Sequence, residues 1–199
     1  NPAGKVALKV LMDTGKYAFD GEVPFAGEAP GTPLEVGWPE APGKVMKVSI
    51  TVYDAATFYT GVEISPWQID IPHEEVNFDS GKFDVRPDEA PKLEKSFTLI
   101  ADAVVKFGRL AELKLYVVGH TDTVGATAAN RTLSLNRARA ISAWFRRQGL
   151  KIPIYFDGLG EEALAVSTAD EEPEAKNRRA EYIIAIDTPS VDRSPVSAR

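Results

Sequence analysis

Two charged residues in the stretch GHTDTVGATAANRTLSLNRARA, residues 119–140, carry the first chemical signal of this chain. Asn130, Ser134, Arg137 and Ile141 recur at intervals of 4, 3 and 4, and Leu133, Arg137, Ile141 and Trp144 at intervals of 4, 4 and 3. Both series set Arg137 on the helical face that also carries the apolar anchors. Arg131, Arg139, Arg146 and Arg147 fall on the outward positions instead. A guanidinium drawn toward the core needs acceptors, because an uncompensated buried charge costs several kcal/mol. Asp122, at the end of the preceding strand-like run, is the nearest source, and loops at that edge of an α/β sheet are where ligands bind. Two readings follow. The pair can be a structural salt bridge tying loop to helix. It can also hold a zwitterion, the guanidinium forking a carboxylate and the aspartate taking an ammonium, with Asn130 and Ser134 adding neutral hydrogen bonds.

Other candidate chemistry is weaker. His73 and His120 lack metal-ligand spacing, the chain has no cysteine, and no elbow serine accompanies the His120–Asp122 pair. His120 is expected to hydrogen-bond loop backbone, and catalysis is not expected. The acidic run Asp170, Glu171, Glu172, Glu174 lacks the alternating pattern of a calcium loop and reads as a solvated loop. GLG at 158–160 lacks the third glycine of a dinucleotide fingerprint. Trp144 and Phe145 read as core and not as a stacking platform. No metal and no cofactor is expected.

The elements that must position Asp122 and Arg137 come from the hydropathy pattern. In a chain of 199 residues with 44% hydrophobic content, no apolar run is long enough to span a bilayer as a helix. The net charge of −6 argues against a nucleic-acid partner. Up to about residue 72 the pattern is strand-like: Val6, Leu8, Val10 and Met12 alternate with other residues, as do Met46, Val48, Ile50 and Val52. A stretch rich in Pro and Gly separates the two runs. Residues 1–72 are therefore expected to form a small all-β domain, a sandwich. Beyond it, Leu93, Phe97, Ile100, Val104 and Phe107 make a helical stripe ending near Gly108. ELKLYVVGH reads as a strand, about 128–148 as a second helix, and IPIYFDG and RRAEYIIAID as two further strands. That order predicts an α/β sandwich, a mixed sheet with helices on one face, over 73–187. The polar tail 188–199 is expected to be disordered. Asn1 is not an initiator, so the chain is read as processed or as part of something longer.

GHTDTVGATAANRTLSLNRARA resembles the signature of the OmpA-like C-terminal domain, the peptidoglycan-binding module shared with Pal lipoproteins and MotB-type stator proteins. VNFDSGKFDVRPDEAPKL upstream resembles that family's opening strand, turn and first helix, and GLGEE and NRRAEYIIAI downstream resemble its closing segments. The resemblance covers about residues 73–187. It implies non-catalytic binding of the diaminopimelate of the cell-wall stem peptide through Asp122 and Arg137. That ligand presents an ammonium and a carboxylate on one carbon. The resemblance also implies roles in the same cleft for Asn77, Phe78, Asp79, Thr121 and Asn130, beside the Ser134 that spacing suggests. Arg178, the first arginine of NRR, is either a further ligand contact or a sheet-edge arginine paired with an acidic neighbour. It implies a place in the periplasm of a diderm bacterium, associated with the outer membrane, any membrane attachment coming from an upstream anchor. Where the family has a proline soon after its G-x-G-E segment, this chain runs EEALAVSTADEEPEAKNRR, so that loop is expected to differ in shape. Residues 1–72 do not resemble the OmpA transmembrane barrel, which needs eight tilted strands. Their expected role is contact with an envelope partner.

Overall fold

The computed structural model describes residues 3–26, 29, 31–79 and 81–189. By its internal contacts the chain divides into two units at Trp67/Gln68.

Alternating side chains build the first unit from four antiparallel strands, β1 (Ala3–Met12), β2 (Tyr17–Ala26), β3 (Val45–Asp54) and β4 (Tyr59–Ile64), in the order β2-β1-β3-β4. The register sets Val6, Leu8 and Val10 beside Val52, Ile50 and Val48, which makes one face apolar. The other face carries cross-strand ion pairs, Lys5–Glu22 at 2.8 Å, Lys9–Asp20 at 3.3 Å and Lys47–Glu63 at 3.1 Å. These pairs are well exposed and serve register more than stability. Val36 and Ala41, from the stretch between β2 and β3, pack on the cluster of Leu8, Val10, Met12 and Val48. A two-sheet sandwich was expected; the described residues form one sheet with an irregular cover. Pro33, Pro39 and Pro42 in that cover lack the N–H groups a second ladder would need.

The second unit contains β5 (Gln68–Asp70), α1 (Ala90–Phe107), β6 (Lys114–His120), α2 (Thr127–Arg147), β7 (Ile154–Gly160) and β8 (Ala180–Ala185). Its sheet order is β5-β8-β6-β7, with β6 and β7 parallel and the other pairs antiparallel. This is the mixed sheet the pattern predicted. Because β5 pairs with β8, residues 68–72 go with this unit, although their composition resembles what precedes them. The opening strand read into VNFDSGKFDV is absent among the described residues; 71–79 run without a ladder. Most of the tail expected to be disordered, from 190 on, lies outside the described residues.

The first helix is rolled relative to expectation. Leu93, Ser96, Ile100, Ala103 and Phe107 are buried, whereas Phe97 and Val104 are only half-buried. Two stripes share Leu93, Ile100 and Phe107, and the helix buries the one whose intermediate residues are small. In α2, Asn130, Ser134, Ala138, Ile141, Ser142, Trp144 and Phe145 are buried, and Phe145 meets the Tyr182 ring edge-on at 5.3 Å.

Two glycines bring α2 onto the sheet. Gly119 of β6 and Gly158 of β7 lie side by side in the parallel register. A Cβ on Gly119 would collide with the Ser134 carbonyl, and one on Gly158 with the Leu135 backbone. Only hydrogen at both positions lets the helix backbone approach this closely. The approach sets the height of Asn130, Ser134 and Arg137 above the strand ends.

Candidate functional site

The strand ends of β6 and β8, Arg137 of α2 and the segment 75–78 surround a cavity of about 430 Å³. Glu75, Phe78, His120, Arg137, Arg178 and Arg179 are among the residues that line it.

Asp122 follows β6 and is buried, its side chain 10% exposed. Its Oδ2 accepts from Nη1 of Arg178 at 2.6 Å. Arg178 stands in the two-residue gap between a short helical turn, Ala175–Asn177, and β8. Both readings of Asp122 joined it to Arg137; the structure instead gives Arg178 the acidic neighbour expected in one of its two readings, and that neighbour is Asp122. The partner is decided by the closing strand, which returns the NRR segment beside β6.

Arg137 is half-buried, at the margin of the buried stripe and not in its middle. Ala138, at 0% exposed, holds the inward position. The guanidinium lies 5.0 Å from the centre of the Phe78 ring, within cation–π range. Its Nε donates to the Lys82 carbonyl at 3.2 Å. Among the described residues no carboxylate pairs with it. Burial pulls its pKa below the ordinary value, Arg178 adds to the shift by repulsion, and Asp122 opposes it. A cation in these surroundings gains from any anion that can reach it.

The remaining expected residues fall into two groups. Asn77, Phe78 and Arg178 line the cavity with Arg137. Asn77 is also engaged in structure, as are the others. The Asn77 backbone N–H donates to Oε2 of buried Glu89 at 2.9 Å, and its Nδ2 donates to Oε1 at 3.3 Å. Asp79 pairs with Lys82 at 3.1 Å and Arg86 at 3.6 Å. Asn130 donates to the Asp122 carbonyl at 3.3 Å and to Glu161 at 2.8 Å, holding the loop that carries Asp122. Ser134 donates to the Arg131 carbonyl at 2.9 Å and accepts from Gly160 N–H at 2.9 Å, tying α2 to β7. Thr121 is buried, with its backbone N–H on the Gly160 carbonyl at 2.9 Å.

His120 differs from expectation. Its ring makes no backbone hydrogen bond and is fully buried, with Nε2 3.4 Å from Glu181 Oε1. His120 and Arg179, the latter at 2.7 Å, together hold the Glu181 carboxyl down at about 2. The glycines of β6 and β7 were not picked out as positioning residues. Their sequence signal was a glycine in each of two predicted strands, which marks close backbone approach. Among the described residues no group of three or more His, Asp or Glu side chains could hold a metal ion.

The geometry thus defines an α/β unit with a cleft at its strand ends, in which Arg137, Lys176, Arg178 and Arg179 outnumber Glu75, the single carboxylate among the described residues that line it. Comparison with known proteins narrows the class: the OmpA family model matches residues 77–178, more than half of the chain, and the chain belongs to that family. The peptidoglycan-associated lipoprotein of Burkholderia pseudomallei is 22% identical, with a TM-score of 0.45 over 55% of this chain and 88% of that one. The cell wall anchor of the T6SS from Pseudomonas aeruginosa is 21% identical, with a TM-score of 0.44 over 72% and 85%. The periplasmic domain of Helicobacter pylori MotB is 16% identical, with a TM-score of 0.48 over 69% and 80%. No curated protein matches the sequence.

Proposed function

We propose that this chain is a non-catalytic tether that binds peptidoglycan through the diaminopimelate of the stem peptide. The observation that carries the reading is Arg137. It is a half-buried cation on an aromatic ring, facing a cavity, with no carboxylate partner among the described residues. Membership of the OmpA family, and similarity to proteins that include a peptidoglycan-associated lipoprotein and a cell wall anchor, support the choice of ligand. The carboxylate of a diaminopimelate zwitterion takes Arg137, and its ammonium takes Asp122. The ammonium must then compete with Arg178, which can turn toward the ligand carboxylate from its place beside the cavity. A place in the cell envelope follows from such a ligand. Among the described residues no helix is long and apolar enough to cross a membrane.

One observation favours a second reading. Asp122 is already satisfied by Arg178, as an internal structural pair would be. In that case the cleft is scaffolding and the first unit recognises an envelope partner. Calorimetric titration of diaminopimelate, with sedimentation on purified sacculi, separates the two. Truncating either partner of the charge-assisted contacts should weaken binding by about 2–5 kcal/mol. Loss of binding in both Asp122→Ala and Arg137→Ala, with folding retained, supports the tether. No binding by the wild-type chain overturns it.

A further inference from the structure

His73 has an unusual pair of partners. Its Nδ1 lies 2.7 Å from the Ile71 carbonyl oxygen and its Nε2 2.5 Å from the Ala180 carbonyl oxygen. A carbonyl oxygen only accepts, and a neutral imidazole offers one N–H and one lone pair. Both contacts are hydrogen bonds only when the ring is the imidazolium. We propose that His73 is a positioning residue, a doubly donating imidazolium that clamps residues 75–78, one wall of the cavity, to the start of β8. Loss of a ring proton then loosens that wall.

The connections run through few atoms. Ala180 is gripped at both ends, its carbonyl by His73 and its N–H by Glu75 Oε2 at 3.1 Å. Ile71 accepts from His73 and donates to the Tyr182 carbonyl at 2.8 Å. Glu75, Val76, Asn77, Phe78 and Ala180 all line the cavity, so the clamp sets where Phe78 lies beneath Arg137.

The surrounding charges are mixed. Glu75, on the same segment, places Oε1 3.7 Å from Nε2 and favours the cation. Burial raises the Glu75 pKa, while His73 and, more weakly, Arg179 and His120 pull it down. From β8 the Tyr182 ring lies tilted by 32° against the imidazole, ring centres 4.2 Å apart, within the range at which an aromatic ring attracts a cation. Burial and Glu75 push the Tyr182 phenol above its ordinary range, so it stays neutral. Glu181, also on β8, is engaged by Arg179 and His120. From α1, Lys92 donates to the Glu75 carbonyl at 2.8 Å and Lys95 pairs with Glu74 at 2.6 Å.

The test uses the full chain, wild type and His73→Gln. Ring nitrogen NMR follows the His73 proton while amide exchange, relative to the unfolded chain, is read at Asn77 and Ala180. In wild type, protection at both amides should fall about tenfold along the His73 ring titration, the cost of one donor lost against a buried carbonyl. His73→Gln should show low protection and no such titration. The proposal is overturned if the amides ignore the ring, or if His73→Gln keeps the same titration, which assigns it to Glu75 or His120. Should His73→Gln fail to fold, the wild-type correlation decides alone. The ligand arm rests on the tether reading: diaminopimelate affinity should weaken along the same curve. Affinity independent of pH while the amides titrate overturns the link from clamp to cleft. No affinity at any pH defeats the tether reading and leaves the clamp to the amide data.

Discussion

Arg178 and Glu181 show how one residue's environment decides its chemistry. Arg178 neutralises Asp122 without a ligand; its own side chain is 46% exposed, but the carboxylate it neutralises is only 10% exposed. Removing the arginine should therefore leave a buried carboxylate unpaired and destabilise the fold by about 1–3 kcal/mol, which denaturant unfolding of Arg178→Ala measures. Glu181 behaves differently. Its folded pKa of about 2 lies below the ordinary 4.5, so the charged form is favoured by folding. Its contribution is complete above the ordinary value and is lost as pH falls through about 2. For a carboxylate about a third exposed we expect roughly 1–2 kcal/mol after solvent screening. Denaturant unfolding of wild type and Glu181→Gln between neutral pH and pH 2 checks this. The two proteins should converge at the acid end, and a constant gap would mean that Glu181 acts through packing.

At the scale of elements, the site depends on how closely α2 approaches the sheet. Gly158 faces the Leu135 backbone with no room for a methyl group. Gly158→Ala should cost about 3 kcal/mol, since neither a strand nor a helix backbone yields easily. It should also weaken ligand binding, because Asn130 and Arg137 ride on the same helix. Thermal unfolding and calorimetry on one variant test both parts, and a stable Gly158→Ala would show that the helix can lift. The helical faces were only partly legible from spacing. The α1 stripe of Leu93, Ile100 and Phe107 was read correctly, but a period near 3.6 cannot choose between Phe97 and Ser96 as the intervening residue. The same ambiguity set Arg137 in the stripe when it belongs at its edge.

At the scale of the molecule, each unit contains its own sheet, and among the described residues no strand belongs to both. Residues 68–199 should therefore fold alone, with β5 retained, and should keep whatever affinity for diaminopimelate and sacculi the full chain has. Circular dichroism and sedimentation of that fragment provide the measurement. If wall binding disappears with residues 1–67 while the fragment stays folded, recognition belongs to the first unit.

What the chain's residues determined unaided was local and periodic. Strand alternation, the two helices, the mixed α/β order and the OmpA resemblance are all carried by short-range patterns, because side chains two, three or four positions apart share a face whatever surrounds them. The prominence of Asp122 and Arg137 came from the same source. Tertiary structure decided what depends on partners distant in sequence. It joined Asp122 to Arg178, laid Arg137 on Phe78, set Asn77 on Glu89 and placed both nitrogens of His73 against carbonyls. Hydrogen bonds and ion pairs act over a few ångströms, and only the closed sheet brings those groups within that reach.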